Sequence, residues 1–242
     1  MKRIMGMLLA VALVLATAGP AAAYFEIGQA KLMRAVYQAG DVEVVTDLGD
    51  VTSVSFGDLG DVGDFGLGDF STSDWADLYV GYWATDASGN RYFATNSSSA
   101  PTISSALATS FDSADMSIKM NYSSLDGDSD GTATDDTSDI NSYSIKMNQN
   151  GTTHGTYTGY LPLDMQGEAN LAALDGTSGT WVDMYLWQFT DNTLVGSGPV
   201  GVLRTFGDGS TDYNPVPIPA TALLLISGLL GLVTLNRKNS IA

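Results

Sequence analysis

The sequence contains no cysteine and a single histidine, and each shortage excludes a kind of chemistry. Without cysteine the chain has neither disulfides nor a thiolate nucleophile. With only His154, a histidine-rich zinc site is excluded, and a Ser-His-Asp triad would depend on one residue in a turn-like segment. No glycine-rich phosphate loop followed by Lys and Ser or Thr is present. The absence of disulfides is typical of a bacterial surface protein that is stabilised by its core.

Positive charge is also scarce. The chain has ten Lys and Arg against 27 Asp and Glu, a net charge of −17. All 27 acidic residues lie within 24–215, where only six basic residues occur, so this part carries −21. Such a charge disfavours nucleic acid or an anionic membrane surface as a partner. It suits solubility outside the cell and the binding of divalent cations.

The first 23 residues have the parts of a cleavable signal peptide. Lys2 and Arg3 provide a positive start, and residues 4–18 form an apolar stretch of fifteen residues. Gly19-Pro20 ends this stretch, and three alanines then fit the small-residue rule for cleavage. The alternative, a first transmembrane helix, needs about 20 apolar residues. We therefore predict an N-terminal signal helix over 1–23 that signal peptidase removes.

The composition changes abruptly again near the end of the chain. Residues 216–235 are 20 residues without a charge, enough to cross a bilayer at about 1.5 Å per residue. Arg237 and Lys238 follow and would stay cytoplasmic under the positive-inside rule. A buried core helix is the alternative, but it explains neither the C-terminal position nor the basic residues. We predict a transmembrane helix within 216–238, a cytoplasmic tail at 239–242, and an acidic domain outside.

This tail resembles the PEP-CTERM sorting signals of Gram-negative bacteria, in the variant that begins Val-Pro-Leu-Pro-Ala. The matching residues are Val216, Pro217, Pro219, Ala220, the run 227–232, Arg237 and Lys238, with Ile218 where the variant has Leu. The resemblance covers about a tenth of the chain. It implies recognition by an exosortase-like transpeptidase, cleavage near the proline motif and delivery to the cell surface. Such families occur with exopolysaccharide and biofilm gene sets.

Residues 24–215 are rich in Ser, Thr, Gly, Asp and Asn, and long helical periodicity is scarce. Short alternating or β-branched runs recur between turn signals, which is typical of antiparallel β proteins. The runs predict four hairpins: 32–38 with 42–46, 78–85 with 91–95, 141–147 with 156–161, and 181–190 with 194–206. Short helical turns are predicted at 103–109 and 168–174. The expected fold is all-β, one acidic antiparallel β-sandwich over 24–215 of the jelly-roll or immunoglobulin-like kind.

The pentapeptide Ser-Ile-Lys-Met-Asn occurs at 117–121 and again at 144–148. The repeat is too short to indicate duplicated domains. It predicts two similar strands on either side of an acidic loop.

That acidic loop is the best local candidate for a metal site. Carboxylates at alternate positions followed by glycine are the start of an EF-hand-like calcium loop. The glutamate expected at the twelfth position is replaced by Thr137, and no flanking helices are predicted. The alternative is a solvated acidic turn. The candidate Ca²⁺ ligands are Asp126, Asp128, Asp130, Asp135 and Asp136.

The segment 181–189 alternates in a way that suggests a second site. Because successive strand residues point to opposite faces, its odd and even positions form two sets. The even set, Val182, Met184, Leu186 and Gln188, is mostly aliphatic and is a natural core face. If the odd set is exposed, its flat rings beside a carboxylate would suit stacking on sugars. The candidate carbohydrate-binding residues are Trp181, Asp183, Tyr185 and Trp187, and Tyr79 and Trp83 could extend them. The alternative is that these aromatic residues are core.

Together these features favour an exported, surface-sorted, non-enzymatic β protein with a structural or adhesive role in an exopolysaccharide or biofilm matrix. The alternative is a carbohydrate-binding or glycosidase-like surface protein. A carboxylate pair for glycoside hydrolysis is left open by the 27 acids, but the sequence singles out no pair. A third reading is a plain single-span membrane protein that keeps its tail.

Overall fold

The computed structural model describes residues 25–27, 29–51, 57–58, 65–86, 91–99, 108–127, 130–147, 166–191 and 193–214. The predicted signal peptide and sorting tail lie outside these residues. The described part is mostly antiparallel β structure, as the sequence predicts.

Eleven strands are present in the described ranges: β1 Lys31–Gln38, β2 Val42–Asp50, β3 Gly57–Asp58, β4 Leu78–Thr85, β5 Arg91–Asn96, β6 Thr132–Asp136, β7 Glu168–Asn170, β8 Trp181–Thr190, β9 Thr193–Leu194, β10 Gly201–Phe206 and β11 Thr211–Asn214. They form one sheet in the order β3-β11-β10-β8-β5-β4-β1-β2-β6. β7 pairs with β4, and β9 with β8. Short 3-10 turns occur at Leu67–Asp69 and Trp75–Asp77.

Three of the predicted hairpins are confirmed in whole or in large part. β1 pairs with β2 and β4 pairs with β5, each across the predicted turn. β8 pairs with both β9 and β10, so the fourth hairpin is broken into two short strands on one partner. The third hairpin is wrong in its first arm, which contains a helix, and its second arm lies outside the described residues.

The sheet buries both of its faces over its central strands. In β1, Leu32 and Val36 belong to one apolar core, and Met33 and Tyr37 belong to the other. Both sets are fully buried. Because the strand is covered on both sides, it has no exposed polar set of its own.

Two helices cover part of one face, and the sequence analysis missed both. α1 spans Ala108–Leu125 and α2 spans Tyr143–Met147. The repeated Ser-Ile-Lys-Met lies in these helices, so the prediction of two strands is wrong. The predicted helical turn at 168–174 is also wrong, since it begins with β7. Of the predicted turn at 103–109, only its last two residues are described, as the start of α1.

The sheet curls so that strands far apart in it come together. Arg34 on β1 donates hydrogen bonds to the Gly209 carbonyl oxygen at 2.9 Å and to Thr211 Oγ1 at 2.8 Å. Four strands separate β1 from β11 in the sheet. The core that contains Leu32 and Val36 is therefore enclosed by one curled sheet.

Candidate functional site

The strand β8 separates its side chains as its alternation predicts. Met184 and Leu186 are buried in the core enclosed by the curl. Trp187 and Phe189 are buried in the core beneath the helices, where Tyr185 packs at the edge. The odd set is thus divided: its second half is core, as the alternative proposed, and only its first half reaches solvent.

Trp181 is the most exposed of the odd-numbered residues of β8. It is 46% exposed, whereas Trp187 is 3% exposed and Trp83 is fully buried. Tyr79 is partly buried and stacks on Tyr37, with ring centroids 5.6 Å apart. Of the aromatic residues named from the sequence, Trp181 is therefore the best placed for a ligand.

Two residues of β10 complete the surroundings of Trp181. Arg204 donates from Nε to Asp183 Oδ1 at 2.7 Å and from a terminal nitrogen to Oδ2 at 3.2 Å. Its guanidinium carbon lies 4.7 Å from the centre of the Trp181 ring, and Phe206 meets that ring edge-on. The hydrogen bond to Asp183 raises the pKa of Arg204 above its ordinary value. The pair with Arg204 neutralises the carboxylate that the sequence analysis had assigned to sugar hydroxyls.

Sequence reasoning missed Arg204 and Phe206. They lie opposite Asp183 and Trp181 in the register of β10 against β8. Alternation within 201–206 could have placed both on one face, but only the strand pairing shows which β8 residues they meet.

The predicted calcium ligands follow α1 and enter β6. Asp126 accepts the Asp130 backbone N–H at 3.2 Å, and Asp130 accepts that of Thr132 at 2.8 Å. Asp135 accepts a hydrogen bond from Asn121 Nδ2 at 2.6 Å, and Asp136 accepts the Ser138 N–H at 2.7 Å. Each of these four aspartates therefore accepts at least one hydrogen bond from within the acidic turn or from α1. Asp128 lies outside the described residues, and within the described ranges no three potential ligands converge.

Glu43 belongs to a buried acidic centre that the sequence did not reveal. Its carboxylate accepts the backbone N–H groups of Tyr143 at 2.5 Å and Ser144 at 2.9 Å, together with the Tyr122 hydroxyl. These contacts join β2 to the first turn of α2 and to α1. Burial raises the pKa of Glu43 from 4.5 to about 8, although the three hydrogen bonds oppose that rise.

Glu168 forms a similar centre beside it. Its two oxygens accept the Tyr37 and Tyr143 hydroxyls, both at 2.6 Å. Tyr143 therefore contacts both buried glutamates, through its backbone N–H and its hydroxyl. The sequence carries one signal for this arrangement: only three of the 27 acids are Glu, and Glu43 and Glu168 are two of them.

A third buried acid, Asp115, lies on α1. It forms an ion pair with Lys119 at 2.9 Å, and both side chains are almost fully buried. Trp83 Nε1 donates to Asp115 Oδ1 at 2.7 Å, and Thr85 donates to Oδ2. Sequence reasoning gave no role to this pair, because Lys119 was expected in a strand at 117–121 and Asp115 outside it.

One open cavity of about 330 Å³ lies where β1 ends against the turn before β4. It is lined by Gln38, Ala39, Ala76, Asp77 and Tyr79. Asp77 accepts the Thr72 hydroxyl at 2.6 Å. The lining is mixed, with one acid and one aromatic ring.

The remaining predicted residues lie outside the described part of the chain. They are His154 and the sorting-motif residues Val216, Pro217, Ile218, Pro219, Ala220, Arg237 and Lys238. In the described ranges, neither α1 nor α2 has the length and apolar content that crossing a membrane requires.

Comparison with protein-family models, with curated proteins and with solved structures gives no match to this chain.

Proposed function

We propose that this chain is an exported cell-surface or extracellular protein with a structural or adhesive role in an exopolysaccharide or biofilm matrix. The observation that carries the proposal is the order of parts in 216–238: a proline motif, an uncharged span of transmembrane length and a basic pair. The signal peptide at 1–23 and the charge of −21 over 24–215 agree with a location outside the cell. In this proposal signal peptidase and an exosortase-like transpeptidase are its processing partners, and it has no catalytic role.

Processing of the tail tests this proposal. Mass spectrometry of the cell-associated and released forms should find the N-terminus at residue 24 and a new C-terminus near Pro219. Replacing Pro217 and Pro219 by Ala should abolish that cleavage and leave the chain in the membrane. The matched control is Pro215→Ala, which changes a neighbouring proline outside the motif. An intact C-terminus in every fraction would favour a single-span membrane protein instead.

The finer description of the fold belongs to the same proposal. We assign the described sheet to a sandwich of jelly-roll or immunoglobulin-like kind, flanked by an N-terminal signal helix and a C-terminal transmembrane helix. The contacts of Arg34 across the curl support two facing layers, because they bring β1 against the β10–β11 turn.

A second candidate function is carbohydrate binding at Trp181. The indole ring of Trp181 is 46% exposed, with Arg204 over the ring and Phe206 against it edge-on. Flat rings of this kind stack on sugar faces, and the exposed part of the pair Asp183–Arg204 offers polar atoms at the rim. A glycan array with the full chain should show binding that Trp181→Ala removes. Ile140→Ala, which shortens another exposed apolar residue, should leave binding unchanged.

Calcium belongs to this candidate as a cofactor held by the loop from Asp126 to Asp136. Calorimetric titration with millimolar calcium should give a heat of binding, and Asp130→Asn should weaken the affinity for calcium. No heat and no change in melting temperature would remove calcium from the proposal. The competing proposal is a glycosidase-like enzyme. Such an enzyme would release reducing sugar from bacterial polysaccharides, whereas a binding protein would not.

A further inference from the structure

Two oppositely charged side chains of α1 are held together inside the core beneath the helices. Lys119 Nζ lies 2.9 Å from Asp115 Oδ2, and the two side chains are 0% and 3% exposed. The residues are four apart, so they lie on one side of the helix. Removing two charges from water is unfavourable, and their attraction offsets this only when the geometry is very good.

Hydrogen bonds from β4 fix the carboxyl group of that pair. Trp83 Nε1 donates to Oδ1 at 2.7 Å, and the Thr85 hydroxyl donates to Oδ2. Lys119 Nζ also donates to the Gln29 carbonyl oxygen at 3.1 Å. Nζ is therefore held against Oδ2, the oxygen that would leave when a nucleophile attacks the carboxyl carbon.

A second carboxyl group lies within reach of the same hydroxyl. Asp112 is one turn before Asp115, and its carboxyl group lies near the Thr85 hydroxyl. Burial raises the pKa of Asp112, and the charge of Asp115 adds to the rise. A carboxyl group that keeps its proton more readily can pass one to a departing oxygen.

From this arrangement we infer that Lys119 and Asp115 condense to a side-chain amide. The ammonium group first gives a proton to Oδ2, which leaves a neutral amine and a neutral acid. Nζ then bonds to the carboxyl carbon while Trp83 Nε1 stabilises the negative charge on Oδ1. The bond from carbon to Oδ2 breaks, and Oδ2 leaves as water with the second proton from Nζ, relayed through Thr85 and Asp112. The reaction converts the ion pair to one amide and one water molecule, so it balances without an oxidant or a co-reactant.

Two physical effects favour the amide. Holding amine and acid in contact raises their effective concentration to about 10⁵–10⁸ M in well-oriented cases. Condensation also replaces two buried charges by one neutral group, which removes their desolvation cost. The product would link successive turns of α1 in a chain that has no cysteine for disulfides.

Tryptic mapping of the full-length protein tests the inference directly. Trypsin cuts after Lys and Arg, so an unmodified chain gives peptides 92–119 and 120–146. The amide removes the charge of Lys119, so cleavage after this residue should be lost. We expect a single peptide, 92–146, lighter by one water than its sequence, with fragmentation placing the link between positions 115 and 119. Cleavage after Arg91 and Lys146 in the same digest shows that digestion is complete.

Variants separate the reaction from a plain ion pair. Lys119→Arg keeps a cation beside Asp115 and should restore cleavage after position 119. Asp112→Asn keeps both reacting groups and should slow formation of the 92–146 peptide at least about tenfold after synthesis. Asp208→Asn, in the exposed turn before β11, should have no effect. If the folded wild-type protein gives only 92–119 and 120–146, Lys119 and Asp115 form an ion pair alone and the inference is overturned.

Discussion

Glutamate is the rare acid of this chain, and two of its three copies are placed where aspartate would be too short. Glu43 reaches the backbone of α2 from β2, and Glu168 reaches two tyrosine hydroxyls from β7. Many aspartates instead accept hydrogen bonds from backbone N–H groups two residues on, as Asp74, Asp175 and Asp208 do. These aspartates therefore close turns, whereas the two buried glutamates join separate elements, as Asp115 also does between α1 and β4.

The raised pKa of Glu43 makes stability depend on pH. An unfolded chain releases the proton of this group above about pH 4.5, whereas the folded protein keeps it up to about pH 8. In this interval the folded state binds more protons, so stability is present at low pH and falls as pH rises toward 8. The free energy of unfolding should lose at most about 1.4 kcal/mol per pH unit from this group. Glu43→Gln should flatten that slope in urea titrations from pH 5 to 8.

Glu26→Gln is the matched control for that substitution. Glu26 is about half exposed and pairs with Lys31 at 3.9 Å. Because surface pairs contribute little, this variant should keep the wild-type slope. An unchanged slope in Glu43→Gln would mean that Glu43 ionises normally in the folded protein.

At the level of elements, the turn between β10 and β11 depends on a glycine. Gly209 has a φ of +91°, and a Cβ built there would lie 1.8 Å from the Phe65 carbonyl oxygen. Gly40, in the turn between β1 and β2, has a φ of +75° with open space around it. Gly40→Ala should lower the unfolding free energy by only about 1–2 kcal/mol, because a residue with a Cβ is strained at this positive φ. Gly209→Ala should cost at least about 2 kcal/mol more, because the backbone near Phe65 must also move.

Chemical denaturation of the two alanine variants measures this difference. Equal losses of unfolding free energy would show that the turn does not press against Phe65 as described. A glycine in a tight turn can be recognised in the sequence, but its contact with residue 65 cannot, because that contact depends on how the sheet curls.

The hairpins could be predicted because each depends on residues close in the chain. Alternation in 32–38 and 78–85, with turn residues after each run, is enough to define the strand pairs. The helix α1 was missed because Ile118 and Met120 alternate as in a strand over a short window. Over a longer window, Phe111, Ala114, Ile118 and Tyr122 recur every three or four residues, which is the helical spacing.

The buried centres could not be predicted, since each joins residues that are distant in sequence. Glu43 is 79 positions from Tyr122 and 101 from Ser144. No local pattern marks such a partner. The exposed row on β8 was predicted in part: Trp181 and Asp183 are at the surface, but the coverage of Trp187 depends on how the other strands and helices pack.

For the whole molecule, Arg34 holds the curl of the sheet closed. Its guanidinium group contacts Gly209 and Thr211 on one side and Thr46 on the other, and it lies 4.9 Å from the centre of the Phe65 ring. Tyr82 of β4 adds hydroxyl contacts to Thr205 and Thr211. Polar contacts thus cross this core and join β1 and β4 to β10 and β11.

Arg34→Met should therefore weaken one end of the sheet more than the other. It keeps most of the side-chain volume but removes the hydrogen bonds to Gly209, Thr211 and Thr46. Hydrogen bonds from a charged group contribute about 1.5–3 kcal/mol each, so the free energy of unfolding should fall by at least about 3 kcal/mol. In hydrogen exchange, the amides of β10 and β11 should lose protection before those of β1 and β2, which stay paired to each other.

Arg91→Met is the control, because Arg91 lies over the Phe93 ring of its own strand and is only partly buried. It removes an arginine without opening the curl, so β11 should keep its protection. Uniform loss of protection in Arg34→Met would mean that the sheet unfolds as one unit and that Arg34 stabilises the core generally. Loss confined to β10 and β11 would show that these strands close over a core that β1, β2, β4 and β5 form by themselves. The curl is then a separate step, and Arg34 is the residue that completes it.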